Sequence, residues 1–209
     1  MARSHLVLAA LVVAVLAPPA AAEDPERGRK LYALCNQCHG PAGAGDPAAL
    51  APAIAGLPQW YVESQLVKFR AGHRGRHFDD IAGMRMRPMS LSLSGDADVA
   101  AVSAYVAGLP PVPPAPRLEG GDPARGQTLY TPCIACHGAD GSGNQALFGP
   151  PLAHASDWYL LTQLANFKAG VRGAKEGDMS GALMRPMAMT LADEQAMKDV
   201  IAYISTLAK

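Results

Sequence analysis

Cys35-Asn36-Gln37-Cys38-His39 and Cys133-Ile134-Ala135-Cys136-His137 decide how this chain is read. Each is a Cys-x-x-Cys-His segment, the attachment signature of c-type haem. Two thiols at this spacing can add to the two vinyl groups of one haem, and the next residue brings an imidazole to the iron. The two segments use all 4 cysteines of the chain, so none is left for a disulfide. A redox dithiol or half of a zinc site would read the same in a single copy, but zinc needs further ligands at suitable spacing. Two copies point to two covalent haems and to electron transfer.

The two motifs lie 98 positions apart, and the offset holds along the chain. It links Asp24-Pro25 to Asp122-Pro123, Gly28 to Gly126, Tyr32 to Tyr130 and Trp60-Tyr61 to Trp158-Tyr159. It continues through Gln65-Leu66 and Gln163-Leu164, Arg74 and Arg172, and the Met-Arg-Pro-Met runs at 86–89 and 184–187. A repeat this long means a duplicated domain, not a solenoid of short units. The expected organisation is an N-terminal unit over 23–109, a proline-rich linker over 110–117 and a C-terminal unit over 118–209. Leu109-Pro110-Pro111-Val112-Pro113-Pro114 should be stiff and extended.

Residues 1–22 read as an export signal, with Arg3, the apolar run Leu6 to Leu16, and Ala20-Ala21-Ala22 before Glu23. The run is short for a membrane span of about 20 residues; an uncleaved N-terminal anchor is the competing reading. Export and thioether chemistry together suggest a bacterial periplasm. The chain carries 18 basic and 18 acidic residues. With no basic excess and no recognition motif, nucleic acid is excluded as a partner.

Apolar spacing outlines an all-α fold. Asp-Pro pairs open a first helix in each unit, and each helix is expected to run into its Cys-x-x-Cys-His. Glycine loops over 40–45 and 138–143 carry the chain around the haem edge. Second helices are expected over Gln59 to Ala71 and Asp157 to Ala169, ended by Gly72 and Gly170. Loops then lead to the methionine segments. Last helices are expected over Asp96 to Ala107 and Asp193 to Leu207, with Val99, Val102, Val106 and Val200, Ile204, Leu207 as the buried stripes. No segment alternates as a strand would.

A second axial ligand has to come from outside the motif, and thioether sulfur fits a haem of raised potential. The duplication retains Met86 with Met184 and Met89 with Met187, and leaves either pair open. Of the basic residues over 70–77, only Arg74 has an arginine counterpart, Arg172; this pair is the candidate for holding haem propionates.

Each half resembles a class I cytochrome c, and residues 24–209 together resemble the di-haem cytochrome c4 family. The resemblance rests on Cys-x-x-Cys-His-Gly, the prolines at 52 and 150, Trp-Tyr…Gln-Leu…Phe-x-Ala-Gly, and a methionine seven positions before Leu93 and Leu191. It implies Cys35, Cys38, Cys133 and Cys136 as thioether sites, and His39, Met86, His137 and Met184 as iron ligands, with Met89 and Met187 in reserve. It also implies that the Pro52 and Pro150 carbonyls accept a hydrogen bond from the two imidazoles. The implied role is a non-enzymatic carrier taking single electrons from a quinol–cytochrome c reductase to a terminal oxidase, docking on such membrane complexes. The alternative is the tightly bound electron-accepting subunit of a periplasmic dehydrogenase, as in flavocytochrome c sulfide dehydrogenase. A di-haem peroxidase would need an iron that can open a coordination position, which the equal Met-Arg-Pro-Met runs argue against.

Overall fold

The computed structural model describes residues 25–207. Residues 1–24, which include the expected export signal and Asp24, and residues 208–209 lie outside that range. Four helices form the first half: α1 (Pro25–His39), α2 (Gln59–Ala71), α3 (Ile81–Leu91) and α4 (Asp96–Ala107). The second half holds α5 (Pro123–Tyr130), α6 (Ile134–His137), α7 (Asp157–Lys168), α8 (Met179–Met189) and α9 (Glu194–Leu207). Among the described residues, β-pairing is confined to two isolated bridges, Asp46 with Ala51 and Asn144 with Gly149.

Each half is built on a crossing of its first and last helices, α1 on α4 and α5 on α9. Glycine sets the crossing distance. A Cβ on Gly28 would stand 2.3 Å from the Ala101 carbonyl oxygen, and one on Gly126 would stand 1.9 Å from that of Asp199. The crossings are tied by carboxylates on the last helices. Asp98 takes the Arg27 guanidinium at 2.5 Å and the Ser94 N–H at 2.8 Å. Asp199 accepts the Asp122 N–H at 2.9 Å and pairs with Arg125 at 3.2 Å.

The cores form where the apolar stripes meet. Tyr32, Leu66, Leu93, Val99, Val102 and Val106 are buried together in the first half. Tyr130, Leu191, Met197, Val200, Ile201 and Ile204 occupy the matching place in the second. Leu164 and Leu207 pack against this second cluster but are only partly buried.

One expectation is corrected. In the second half no single helix reaches the haem motif. α5 stops at Tyr130, a 3-10 turn covers Thr131–Cys133, and α6 carries the histidine. Pro132, which stands where the first half has Leu34, cannot donate to the helical ladder. The methionine runs, for which apolar spacing set no expectation, lie in the helices α3 and α8. Asp80 and Asp178 cap them, each carboxylate accepting the N–H three residues on (Gly83 at 3.0 Å, Gly181 at 3.2 Å). The helices continue past Pro88 and Pro186 at the cost of one internal bond each.

The segment between α4 and α5 contains no helix. It is nevertheless docked. Pro111 packs over Gly56 in the first half, and the N–H groups of Arg117 and Leu118 donate to the Asp157 carboxylate at 2.6 and 2.8 Å.

Candidate functional site

The glycine loops build each site from its backbone. The Gly45 N–H donates to the His39 carbonyl at 2.9 Å, and the Gly143 N–H to that of His137 at 2.9 Å. Both glycines have positive φ, 82° and 86°. Each lies so close to the returning strand of chain that a Cβ would fall 2.5 Å from Pro52 C or 2.7 Å from the Gly149 carbonyl oxygen. This tight return delivers the Pro52 and Pro150 carbonyls to the imidazoles.

Nδ1 of His39 lies 2.9 Å from the Pro52 oxygen, and Nδ1 of His137 lies 2.8 Å from the Pro150 oxygen. A carbonyl can only accept, so Nδ1 carries the proton and Nε2 is left with its lone pair. Both rings are buried at 7% exposure. Burial pushes their pKa values below the ordinary range, against the opposing pull of the proline carbonyls, so the neutral ring is favoured. Burial likewise raises the Cys35 and Cys133 thiols.

Each motif opens on a cavity. The first, of about 510 Å³, is walled by Cys35, Cys38, His39, Pro52, Met86 and Met89. The second, of about 790 Å³, is walled by Cys133, Cys136, His137, Pro150, Met184 and Met187. Both volumes suit a cofactor. The structure therefore gathers the thiols, imidazole and methionines expected from the sequence at one cavity in each half. Met86 is partly buried against the core, whereas Met89 is exposed. In the second half Met184 and Met187 are buried to a similar degree.

Tyr32 and Tyr130 are a further pair that the repeat displayed without indicating a role. Their hydroxyls donate to the Gly40 and Gly138 carbonyls at 2.7 and 2.8 Å, tying α1 and α5 to the residue after each motif. Burial pushes both phenols up to about 12.

Arg74 and Arg172, the candidates for holding propionates, come together between the two cavities. They meet where the halves join, at 5% and 7% exposure. Arg74 donates to Gln65 at 2.9 Å and across the interface to Gln163 and the Tyr159 hydroxyl, each at 3.3 Å. Arg172 donates to Gln163 at 2.7 Å and across to Gln65 at 2.9 Å. Each guanidinium also lies over a phenylalanine ring, Phe69 at 4.3 Å and Phe167 at 4.6 Å. Arg74 lines the first cavity and Arg172 the second; Tyr61, Tyr159 and Gln65 line both. The Nε of each arginine is buried with no partner among the protein atoms. Buried cations without a carboxylate are costly. A cofactor bearing carboxylates on its edge fits this cradle, as the thiol, imidazole and thioether set fits its iron and vinyl groups. Arg70, by contrast, is spent on the Ser90 and Leu93 carbonyls at 3.2 and 2.5 Å.

The family model for cytochrome c matches residues 25–110 and again 123–208. The chain belongs to the cytochrome c family. It is similar to the thiosulfate dehydrogenase electron acceptor of Thiomonas intermedia (strain K12), at 35% identity over 92% of this chain and 86% of that protein. It is also similar to cytochrome c4 of Stutzerimonas stutzeri, at 29% identity over 97% of this chain and 98% of the relative. Among solved structures, reduced recombinant cytochrome c4 from Pseudomonas stutzeri superposes with a TM-score of 0.67 at 28% identity, covering 88% of this chain and 98% of that one. The thiosulfate dehydrogenase of Marichromatium purpuratum, as isolated, gives 0.69 at 33% identity, covering 88% of this chain but only 40% of that longer one. This cytochrome thus has two tandem cytochrome c domains, two covalent haem c groups and the role of an electron carrier of the cytochrome c4 kind. No helix among its described residues is long and apolar enough to cross a membrane.

Proposed function

We propose that this cytochrome passes single electrons in the bacterial periplasm from a donor of the quinol–cytochrome c reductase type to a terminal oxidase, docking on those complexes from outside the membrane. The observation that carries the reading is the shared wall. Tyr61, Tyr159 and Gln65 face both cavities, and Gln65 and Tyr159 accept from the buried Arg74, so one hydrogen-bonded layer joins the two redox sites. Haem supplies a one-electron iron couple; the protein supplies its environment.

In this reading His39 and His137 present Nε2 to the iron with Nδ1 fixed by proline carbonyls. Met86 and Met184, on the walls of the same cavities, would supply the second ligand to each iron. Thioether ligation and an apolar wrap favour the ferrous state and a raised potential. With both ligands supplied by the protein, neither iron would offer a position to substrate, which suits a carrier. Arg74 and Arg172 hold carboxylate edges at the interface, where each also bonds glutamines of both domains and so keeps the halves in fixed relation.

A second reading is favoured by the names of its relatives. A thiosulfate-oxidising dehydrogenase would then be the donor, as a case of the dehydrogenase-subunit alternative. Stopped-flow reduction of the purified holo-protein separates the two. Rapid reduction by the membrane reductase with quinol, and none by thiosulfate with its dehydrogenase, supports the shuttle; the reverse supports the second reading. Failure with both sinks each.

A further inference from the structure

The duplication is broken at one buried contact. α2 sends Lys68 across the interface, where its Nζ lies 2.7 Å from Asp178 Oδ1 and 2.5 Å from Ser180 Oγ. The two charged side chains are 13% and 0% exposed. Asp178 is the cap of α8 and Ser180 lies in its first turn. Two turns further on, α8 places Met184 and Met187 on the wall of the C-terminal haem cavity.

Among the described residues, α3 receives no such charge pair from the second domain, whose Ser156 hydroxyl instead accepts the Ala53 N–H at 3.1 Å. Asn166 stands where a second Lys68 would be needed. Asp80, the counterpart of Asp178, satisfies itself at home with the N–H groups of Gly75 and Gly83, each at 3.0 Å. His73, whose counterpart is Val171, also reaches the C-terminal cavity from the first domain. The second domain returns only uncharged residues to the N-terminal cavity, among them Pro151, Leu152 and Tyr159.

We infer that Lys68 is a positioning residue for the C-terminal haem, a latch by which the N-terminal domain holds the helix that offers the sixth ligand to the other domain's iron. A buried ion pair can be replaced cheaply as a whole, but removing one partner strands the other charge. Here the stranded group would be the cap of α8, whose Oδ2 already has no hydrogen-bond partner. Drawing α8 away from α2 also separates the pair. The methionine of the C-terminal iron is therefore held against displacement from outside its own domain, while Met86 on α3 relies on its own. This rests on the reading that α8 ligates the C-terminal iron.

The test uses the full-length ferric holo-protein with imidazole as the competing ligand. Spectra of Met86→Ala and Met184→Ala assign each haem. Lys68→Met should let imidazole displace the C-terminal methionine roughly tenfold more readily, the size of coupling typical of residues in one network. The N-terminal haem should be unmoved. The C-terminal potential should fall, because the unpaired Asp178 carboxylate favours ferric iron, and Lys68→Arg should restore both properties. Ser180→Ala, which keeps the charge pair, should give a smaller change of the same sign, and it carries the test should Lys68→Met fail to load two haems. No change at either haem, equal change at both, or no rescue by arginine overturns the latch. If Met184→Ala keeps its sulfur-to-iron band while Lys68→Met still loosens the C-terminal haem, the latch stands and Met187 is the ligand.

Discussion

Gly126→Ala is the sharpest perturbation of the fold. The added methyl would lie 1.9 Å from the Asp199 carbonyl oxygen and 2.9 Å from Tyr203 Cβ. The obstacle is backbone within α9, so no rotamer change can relieve it. α5 and α9 must part by more than an ångström, which also stretches the bond from the Asp122 N–H to the Asp199 carboxylate. Overpacking of a tight site costs about 1–3 kcal/mol, and a carbonyl that cannot swing aside places this case near 3. Alanine returns up to about 1 kcal/mol as the better helix former. The net loss is about 2 kcal/mol. For a domain of this size that lowers the melting temperature by roughly 8–16 °C. Gly28→Ala, at 2.3 Å from the Ala101 oxygen, should behave alike in the first domain. Gly95→Ala is the control: its φ of 175° is ordinary extended backbone and a Cβ there meets nothing within 4 Å. Calorimetric melting of the ferric holo-proteins reads the outcome. A Gly126→Ala protein that melts within about 2 °C of the parent would refute the claim that glycine sets the crossing.

Alkali should expose the tyrosine locks. Tyr32 and Tyr130 have folded pKa values raised to about 12, above the unfolded value of about 10. Their contribution is thus complete below pH 10 and is lost as pH climbs from about 10 to 12. Tyr130→Phe should flatten stability over that window while lowering it at neutral pH, as denaturant titrations at several pH values would show. Met86→Ala and Met184→Ala should each abolish the far-red sulfur-to-iron band at one haem; loss in Met89→Ala or Met187→Ala instead would shift the ligand assignment by three residues. Carbon monoxide should leave the ferrous spectrum nearly unchanged at neutral pH, and stoichiometric binding at either haem would mean an open iron and remove the carrier reading.

Much of the architecture was legible because it depends on local pattern repeated twice. The apolar spacing on α2 gave its observed ends, and those on α7 and α9 each came within one residue. The pairing of His39 with Pro52 and of His137 with Pro150 was legible only through the family resemblance, and the close return at Gly45 explains it. α3 and α8 escaped because their apolar residues show little burial: Ile81, Met84, Leu91, Met179 and Leu183 are all exposed. An internal proline further masked them, while the caps at Asp80 and Asp178 were the signal that could have revealed them. Pro132, opposite Leu34 in the repeat, is the position where the duplication fails and the helix divides. The crossing of Arg74 and Arg172 between Gln65 and Gln163 could not be read, since it depends on how two domains meet and no local spacing encodes that.

The docked linker has a kinetic consequence. With Pro111 seated on Gly56 and the Arg117 and Leu118 N–H groups held by Asp157, the tether spends little length as free chain. If the interface opens, the domains search only a small volume, so reclosure behaves as an intramolecular event at high effective concentration. A single proteolytic cut between 110 and 116 would remove that advantage without touching a haem ligand. Electron exchange between the two irons would then slow on dilution, changing from a first-order to a second-order process. The proline strap thus does for this cytochrome what no interface contact can: it makes communication between its haems independent of protein concentration.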